Sequence, residues 1–161
     1  MRRTTVVAVL LVALYALTVF ANSMRTKSKK TIAIEEMKPK KEIYLAGGCF
    51  WGTEHFIKQI YGVTATEVGY ANGKGRKTDY RSVSTGKTGF AETVRVIYDP
   101  EVISLENLLD LFYETIDPLS VNKQGNDFGT QYRTGIYYID KADSVLVKSS
   151  LAKLAQHHSG S

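Results

Sequence analysis

The sequence predicts an α+β fold, a sheet containing antiparallel strands with helices packed on one face. Three observations predict it. Segments that alternate apolar and polar residues recur between segments whose apolar residues are spaced three and four apart. Most segments stop on Gly-Gly, Asp-Pro or another turn signal. At 161 residues, 43% hydrophobic and 23% charged, the chain supplies one packed core of ordinary size, which excludes wholesale disorder. With a single Cys, an intrachain disulfide and a four-Cys zinc site are also excluded.

Glu42 to Ala46 alternates, is β-prone and meets Gly47-Gly48, which reads as a strand followed by a tight turn. Residues 49–61 read as a helix. Phe50, Thr53, Phe56, Ile57, Ile60 and Tyr61 share one face, with Glu54 and Lys58 paired opposite. Residues 64–70 make a second strand, and a long Gly, Asn and Lys-rich loop runs from Ala71 to about Gly89. Ala91 to Tyr98 is a third strand, ended by Asp99-Pro100. Ser104 caps a helix with the stripe Leu105, Leu108, Leu109, Phe112 and Ile116, stopped by Asp117-Pro118. A polar loop covers 119–134. Ile136 to Ile139 is a short strand, and Asp140 opens a final helix over 141–156. The order β-α-β-β-α-β, then α, is that of a ferredoxin-like split βαβ sandwich with long loops and a C-terminal helix. Loops of this length exceed ordinary connections of about 4–6 residues and are functional candidates.

Charge divides the chain. Residues 1–41 hold nine Lys/Arg against Glu35 and Glu36, and residues 42–161 hold twelve against fourteen acids, so the leader carries +7 and the body −2. The body therefore lacks the cationic excess that a nucleic-acid partner requires. Met1-Arg2-Arg3 precedes an apolar run, Val6 to Ala21, broken only by Thr18. That pattern reads residues 1–23 as a signal peptide, cleaved after Ala21, or as a membrane anchor, and places the protein outside the cytoplasm. Residues 24–41 read as a flexible basic linker.

Cys49 follows two glycines at a strand end and opens a helix, where free N–H groups and the dipole stabilise a thiolate. The alternative is a buried, inert thiol. Trp51, the only Trp, falls on the polar half of its helix beside the only Cys, as a binding wall or as packing under a long loop. Glu92 shares a strand face with Val94, Val96 and Tyr98. Burial there raises a carboxyl pKa and makes a proton donor, unless a loop Arg pairs with it. His55 lies six residues from Cys49 on the same helix and faces away, so it serves poorly as a general base.

Other signals fail. Gly86-Lys87-Thr88 lacks the Gly that a phosphate-binding loop needs at 81, where Arg stands. Leu45 to Cys49 is one residue too long for a lipid-attachment box. His157 and His158 sit in a tail, residues 157–161.

Gly47-Gly48-Cys49-Phe50-Trp51-Gly52, Gly69-Tyr70-Ala71, Tyr80-Arg81, Thr88-Gly89-Phe90-Ala91-Glu92 and Gly125 to Arg133 (GNDFGTQYR) together resemble the A-type peptide methionine sulfoxide reductases over residues 42–140. The resemblance implies that Cys49 attacks the sulfur of a methionine-S-sulfoxide and becomes a sulfenic acid. Glu92 then protonates the sulfoxide oxygen, and Phe50 and Trp51 hold the methyl group. Tyr80 and Tyr132 donate hydroxyls to the oxygen, while Asp127 orients the substrate or the site. It implies no bound cofactor and no metal. An external thiol serves as reductant, from a thioredoxin-like protein or a small molecule. The substrates are oxidised proteins or free methionine sulfoxide, and the expected protein is a monomer, attached to a membrane through its N-terminus where the leader is retained.

Departures accompany the resemblance. Phe90 stands where many members carry His, and Ser84 where some carry Cys. The chain has no C-terminal Cys to resolve a sulfenic acid. Members usually continue past the final helix, which implies a reductase domain over 42–156 that is C-terminally truncated. Two rival readings make other predictions. A non-catalytic module that binds oxidised or hydrophobic peptides would be indifferent to Cys49→Ser, and a cysteine hydrolase would need a base near Cys49.

Overall fold

The computed structural model describes residues 17–27, 29, 39–75 and 78–158. Contacts divide the chain into residues 1–38 and 39–161. In the first unit, residues 17–27 are helical and exposed, and the Thr26 hydroxyl donates to the Asn22 carbonyl at 2.7 Å. The helix therefore continues past Ala21 to Lys27, where the sequence predicts a flexible linker. Most of the Val6–Ala21 run and of the linker lies outside the described residues. No helix among the described residues is long and apolar enough to cross a membrane.

The second unit contains β1 (Lys41–Ala46), α1 (Phe50–Ile57), β2 (Val63–Ala71), α2 (Tyr80–Ser84), β3 (Ala91–Tyr98) and α3 (Leu105–Tyr113). Two-residue strands β4 (Lys123–Gln124) and β5 (Asp127–Phe128), a 3₁₀ turn (Thr130–Tyr132), β6 (Gly135–Tyr137) and α4 (Asp143–His158) complete it. The main sheet has the order β2-β3-β1-β6 with every pairing antiparallel. β3 thus lies between β1 and β2, which is the split βαβ arrangement the sequence predicts.

Alternation sets the layers. Ile43 and Leu45 of β1 lie opposite Val96 and Val94 of β3, and all four are fully buried. On this face α3 adds Leu105, Leu108, Leu109 and Phe112, α1 adds Phe50 and Ile57, and α4 adds Val147. Each full burial stabilises by about 1.5–3 kcal/mol. The opposite face is polar: Arg95 bonds Glu42 at 2.6 Å and reaches Glu67 at 3.5 Å. Ser104 caps α3 by accepting from the Asn107 N–H at 3.1 Å, as the sequence predicts. α4 starts two residues late, because the Asp140 carboxylate accepts from Ala142 N–H in a turn of its own.

Several boundaries differ from expectation. α1 is predicted over 49–61 but ends at Ile57, and the chain turns through Gly62 at φ +101°. Helical spacing no longer applies beyond Ile57, so Tyr61 is 87% exposed; Phe56, inside α1, lies at the edge of the buried stripe and is exposed too. Glu54, predicted to pair with Lys58, accepts from the Thr66 hydroxyl of β2 at 2.9 Å. The 71–89 loop contains α2, capped by the Asp79 carboxylate on Ser82 N–H at 2.8 Å. β6 stops at Tyr137, leaving Tyr138 and Ile139 exposed.

Candidate active site

The Gly47-Gly48 turn aims Cys49 away from the strand it follows. Gly48 has φ +84°, and a Cβ there would stand 2.6 Å from Cβ of Gln124. Only glycine fits both demands. Cys49 takes the N-cap position of α1 in extended backbone and is half-buried. Thr53 secures the turn from inside the helix: its hydroxyl is 3.0 Å from the Gly47 carbonyl and 3.3 Å from that of Cys49.

Glu92 enters from β3. Its side chain is buried, 3% exposed, as strand alternation predicts. The partner is the backbone N–H of Phe50, which donates to Oε2 at 3.1 Å. Among the described residues no Arg pairs with it. Burial raises the carboxyl above its ordinary value, the Phe50 N–H opposes that rise, and the Asp127 charge adds to it. A carboxyl held one residue from Cys49 and inclined to keep its proton can act as a general acid.

The remaining predicted residues converge on the same place. Phe50 is buried, its ring 5.6 Å from Trp51 and 5.7 Å from Tyr70. Trp51 is 68% exposed on the first turn of α1, the orientation its helical angle predicts. Burial raises the Tyr132 phenol, and Glu92, Tyr80, Asp127 and Cys49 each raise it further. Burial likewise raises Tyr70, with Glu92, Tyr80 and Asp79 adding. Tyr70, Tyr80, Tyr132, Asp127, Glu92 and Cys49 therefore share one electrostatic neighbourhood, and Tyr70 and Tyr132 stay protonated as donors well into alkaline solution. His55 is exposed on α1. Among the described residues no group of three or more His, Cys, Asp or Glu could hold a metal ion.

Tyr70 is the site residue sequence reasoning misses. It pairs directly with Glu92 across β2 and β3. The signal was available in the Gly69-Tyr70-Ala71 motif, but the register that brings Tyr70 to Glu92 is tertiary information. Two scaffold residues are missed too. Buried Gln124 donates to the Asp117 carbonyl at 2.8 Å and the Thr134 hydroxyl at 2.9 Å, and accepts from Asp117 N–H at 2.9 Å. That network sets the β4-β5 ladder against Gly48. Arg133 donates to the carbonyls of Thr130, Asn72 and Gly89, tying the 72–89 loop to the turn that carries Tyr132. Phe90 is buried, its ring filling the space a Cβ on Gly73 would need. Ser84 closes α2, its hydroxyl donating to the Tyr80 carbonyl at 2.7 Å.

A lone thiol at a helix start, a buried acid one residue along and the phenols of Tyr70 and Tyr132, on an α+β sandwich, make a site of the kind that thiol chemistry uses. Comparison with known proteins narrows the class. The model of the family "Peptide methionine sulfoxide reductase" matches residues 41–160. The peptide methionine sulfoxide reductase MsrA of Lachnoclostridium phytofermentans is 55% identical over 118 residues, covering 73% of this chain and 71% of that protein. Methionine sulfoxide reductase A of Corynebacterium diphtheriae superposes with a TM-score of 0.69 at 34% identity, over 74% of this chain and 56% of that one. Mxr1 of Saccharomyces cerevisiae in its reduced form gives 0.67 at 41% identity, over 71% and 67%. Mxr1 in complex with Trx2 gives 0.52 at 30% identity, over 71% and 65%. This chain belongs to the peptide methionine sulfoxide reductase family, A type. It spans a little over half the length of the Corynebacterium diphtheriae structure.

Proposed function

We propose that this chain reduces methionine-S-sulfoxide, free or protein-bound, to methionine, and so repairs oxidised proteins. The observation that carries the reading is the bond from the Phe50 N–H to Glu92 beside Cys49. It brings the only nucleophilic sulfur and a proton-retaining acid to one wall of the site. A sulfoxide is a poor electrophile until its oxygen is protonated. Sγ of Cys49 attacks the sulfoxide sulfur while Glu92 delivers a proton to the oxygen, with the Tyr80 and Tyr132 hydroxyls hydrogen-bonded to it. Phe50 and Trp51 enclose the methyl group, and Asp127 orients the substrate. The oxygen passes to Cys49, methionine leaves, and the thiol proton returns to the carboxylate. The substrate sulfur gains two electrons and Cys49 loses two, becoming a sulfenic acid. Two equivalents of external thiol restore it, releasing water and a disulfide. The complex of Mxr1 with Trx2 supports a thioredoxin-like protein in that role.

The test is a mass spectrum after stoichiometric treatment with methionine-S-sulfoxide. Cys49 should gain one oxygen, about 16 Da, and the R epimer should leave it unchanged. Cys49→Ser should abolish thiol-dependent turnover. An unmodified Cys49, or full turnover by Cys49→Ser, would overturn the mechanism. The proposal includes export directed by the Val6–Ala21 leader. Cell fractionation checks it, and recovery solely with cytosolic protein would remove it.

A further inference from the structure

The segment between β2 and β3 carries charge that sulfoxide chemistry does not use. Residues 72–89 hold five Lys/Arg against one acid, Asp79, while the rest of 42–161 holds seven against thirteen acids. The Asp79 carboxylate is already engaged at the start of α2. Lys74, Arg81 and Lys87 are exposed, and none has an ion-pair partner among the described residues.

Bonds to backbone carbonyls tie the described residues of this segment to the turn that carries Tyr132. Lys74 N–H donates to the Thr88 carbonyl at 2.9 Å, which closes its neck. The Thr130 hydroxyl donates to the Gly86 carbonyl at 3.0 Å, and Arg133 to that of Gly89 at 2.9 Å. Thr130 and Arg133 flank Tyr132. Arg81 follows Tyr80, whose phenol lies in the field of Tyr70 and Tyr132. Lys74, Arg81 and Lys87 thus sit exposed on a segment tied to the turn that carries Tyr132, whose phenol feels both Glu92 and Cys49.

We infer that this basic segment rims the site and selects protein-bound methionine sulfoxide flanked by acidic residues, an inference that rests on the reductase reading and names its substrate class. A short acidic peptide matches a rim of this size. A long polyanion does not, because the surrounding body is net negative and repels it. Cations held on a fixed rim bring oppositely charged segments to the site faster and hold them longer, and salt weakens both effects.

Three peptides of equal length decide it, each with one methionine-S-sulfoxide flanked by Glu, by Gly or by Lys. Dithiothreitol serves as reductant, so that docking of a protein reductant plays no part. At about 20 mM salt kcat/KM should fall in the order Glu, Gly, Lys, with the extremes about three- to tenfold apart and the difference in KM, and the order should flatten near 500 mM. The variant Lys74→Glu/Arg81→Glu/Lys87→Glu should reverse the Glu-to-Lys ratio. Affinity of the same labelled peptides for the Cys49→Ser chain, read by fluorescence anisotropy, gives the order without turnover. Equal rates and affinities across the three, or an order unchanged in the charge-reversed chain, would overturn the rim. Turnover without an order refutes the rim and keeps the reductase; ordered affinities with no turnover refute the reductase and keep the rim.

Discussion

Burial and the nearby Asp127 charge raise the Glu92 carboxyl, and the single Phe50 N–H offsets only part of that rise. The unfolded chain ionises the same group near the ordinary value of about 4.3. As pH climbs past that value the unfolded chain loses its proton first, so stability falls until pH passes the raised folded pKa, and the full cost persists above it. Glu92→Gln keeps an oxygen for the Phe50 N–H and cannot ionise. Thermal unfolding should therefore show a higher Tm than wild type at pH 7 and the same Tm near pH 3. Turnover should drop about 10²–10⁴-fold, the usual worth of a general acid. The fall in wild-type kcat/KM as pH rises through the Glu92 pKa should vanish in the variant. An identical Tm at both pH values would remove the strained carboxylate from the account. The burial of Glu92 was legible in its alternation with Val94, Val96 and Tyr98, and the exposure of Trp51 in its angle on α1. Tyr70 was not legible, because a Tyr on a strand is ordinary until pairing sets it against Glu92.

Element geometry is tightest where β1 passes into α1. Gly48→Ala would force a Cβ into Gln124 at a positive φ, a strain of about 1–3 kcal/mol. Relief would shift either the β4-β5 ladder or Cys49 itself, so turnover should fall further than the loss of stability explains. Gly52→Ala has the opposite sign. That position lies inside α1, and an added Cβ meets nothing within 4 Å. The change should raise stability by about 0.5–1 kcal/mol through the unfolded chain. Chemical denaturation of the two variants gives both signs in one comparison, and a stabilised Gly48→Ala would contradict the packing described here. The helix start was legible from Gly-Gly and the apolar spacing that follows. Its end was not, because Phe56, Ile60 and Tyr61 continue the pattern while Gly62 at φ +101° turns the chain. α2 escaped for a related reason: five residues carry too little periodicity, and only the Asp79 cap marks them.

At the scale of the whole molecule, the order of elements was legible because each strand and helix advertises its own period. The contacts that close the sandwich were not, since they join residues far apart in the chain. One of these is polar. Nζ of Lys41, at the start of β1, donates to Oδ1 of Asp143, the first residue of α4, at 2.9 Å. The Asp143 side chain is 3% exposed and the Lys41 side chain 42%. The hydrogen bond to Asp143 raises the Lys41 pKa, burial opposing it. A raised lysine contributes stability that is complete below its unfolded value of about 10.4 and disappears as pH climbs through the folded value. Lys41→Met leaves a buried carboxylate without its cation, and solvent at the lysine end limits the loss to about 1–2 kcal/mol. Urea unfolding at pH 7 should show that loss, and the two proteins should converge once pH has climbed past the raised folded pKa of Lys41. Hydrogen exchange should locate the loosening in the first turns of α4, around Asp143 and Val147, while the amides of Phe50 and Thr53 stay protected. Equal stability at pH 7, or loosening that begins at Phe50, would mean that α4 is held by its contacts at Val147, Ser150 and Lys153 without Lys41, or that the site and the far end of the sheet open together.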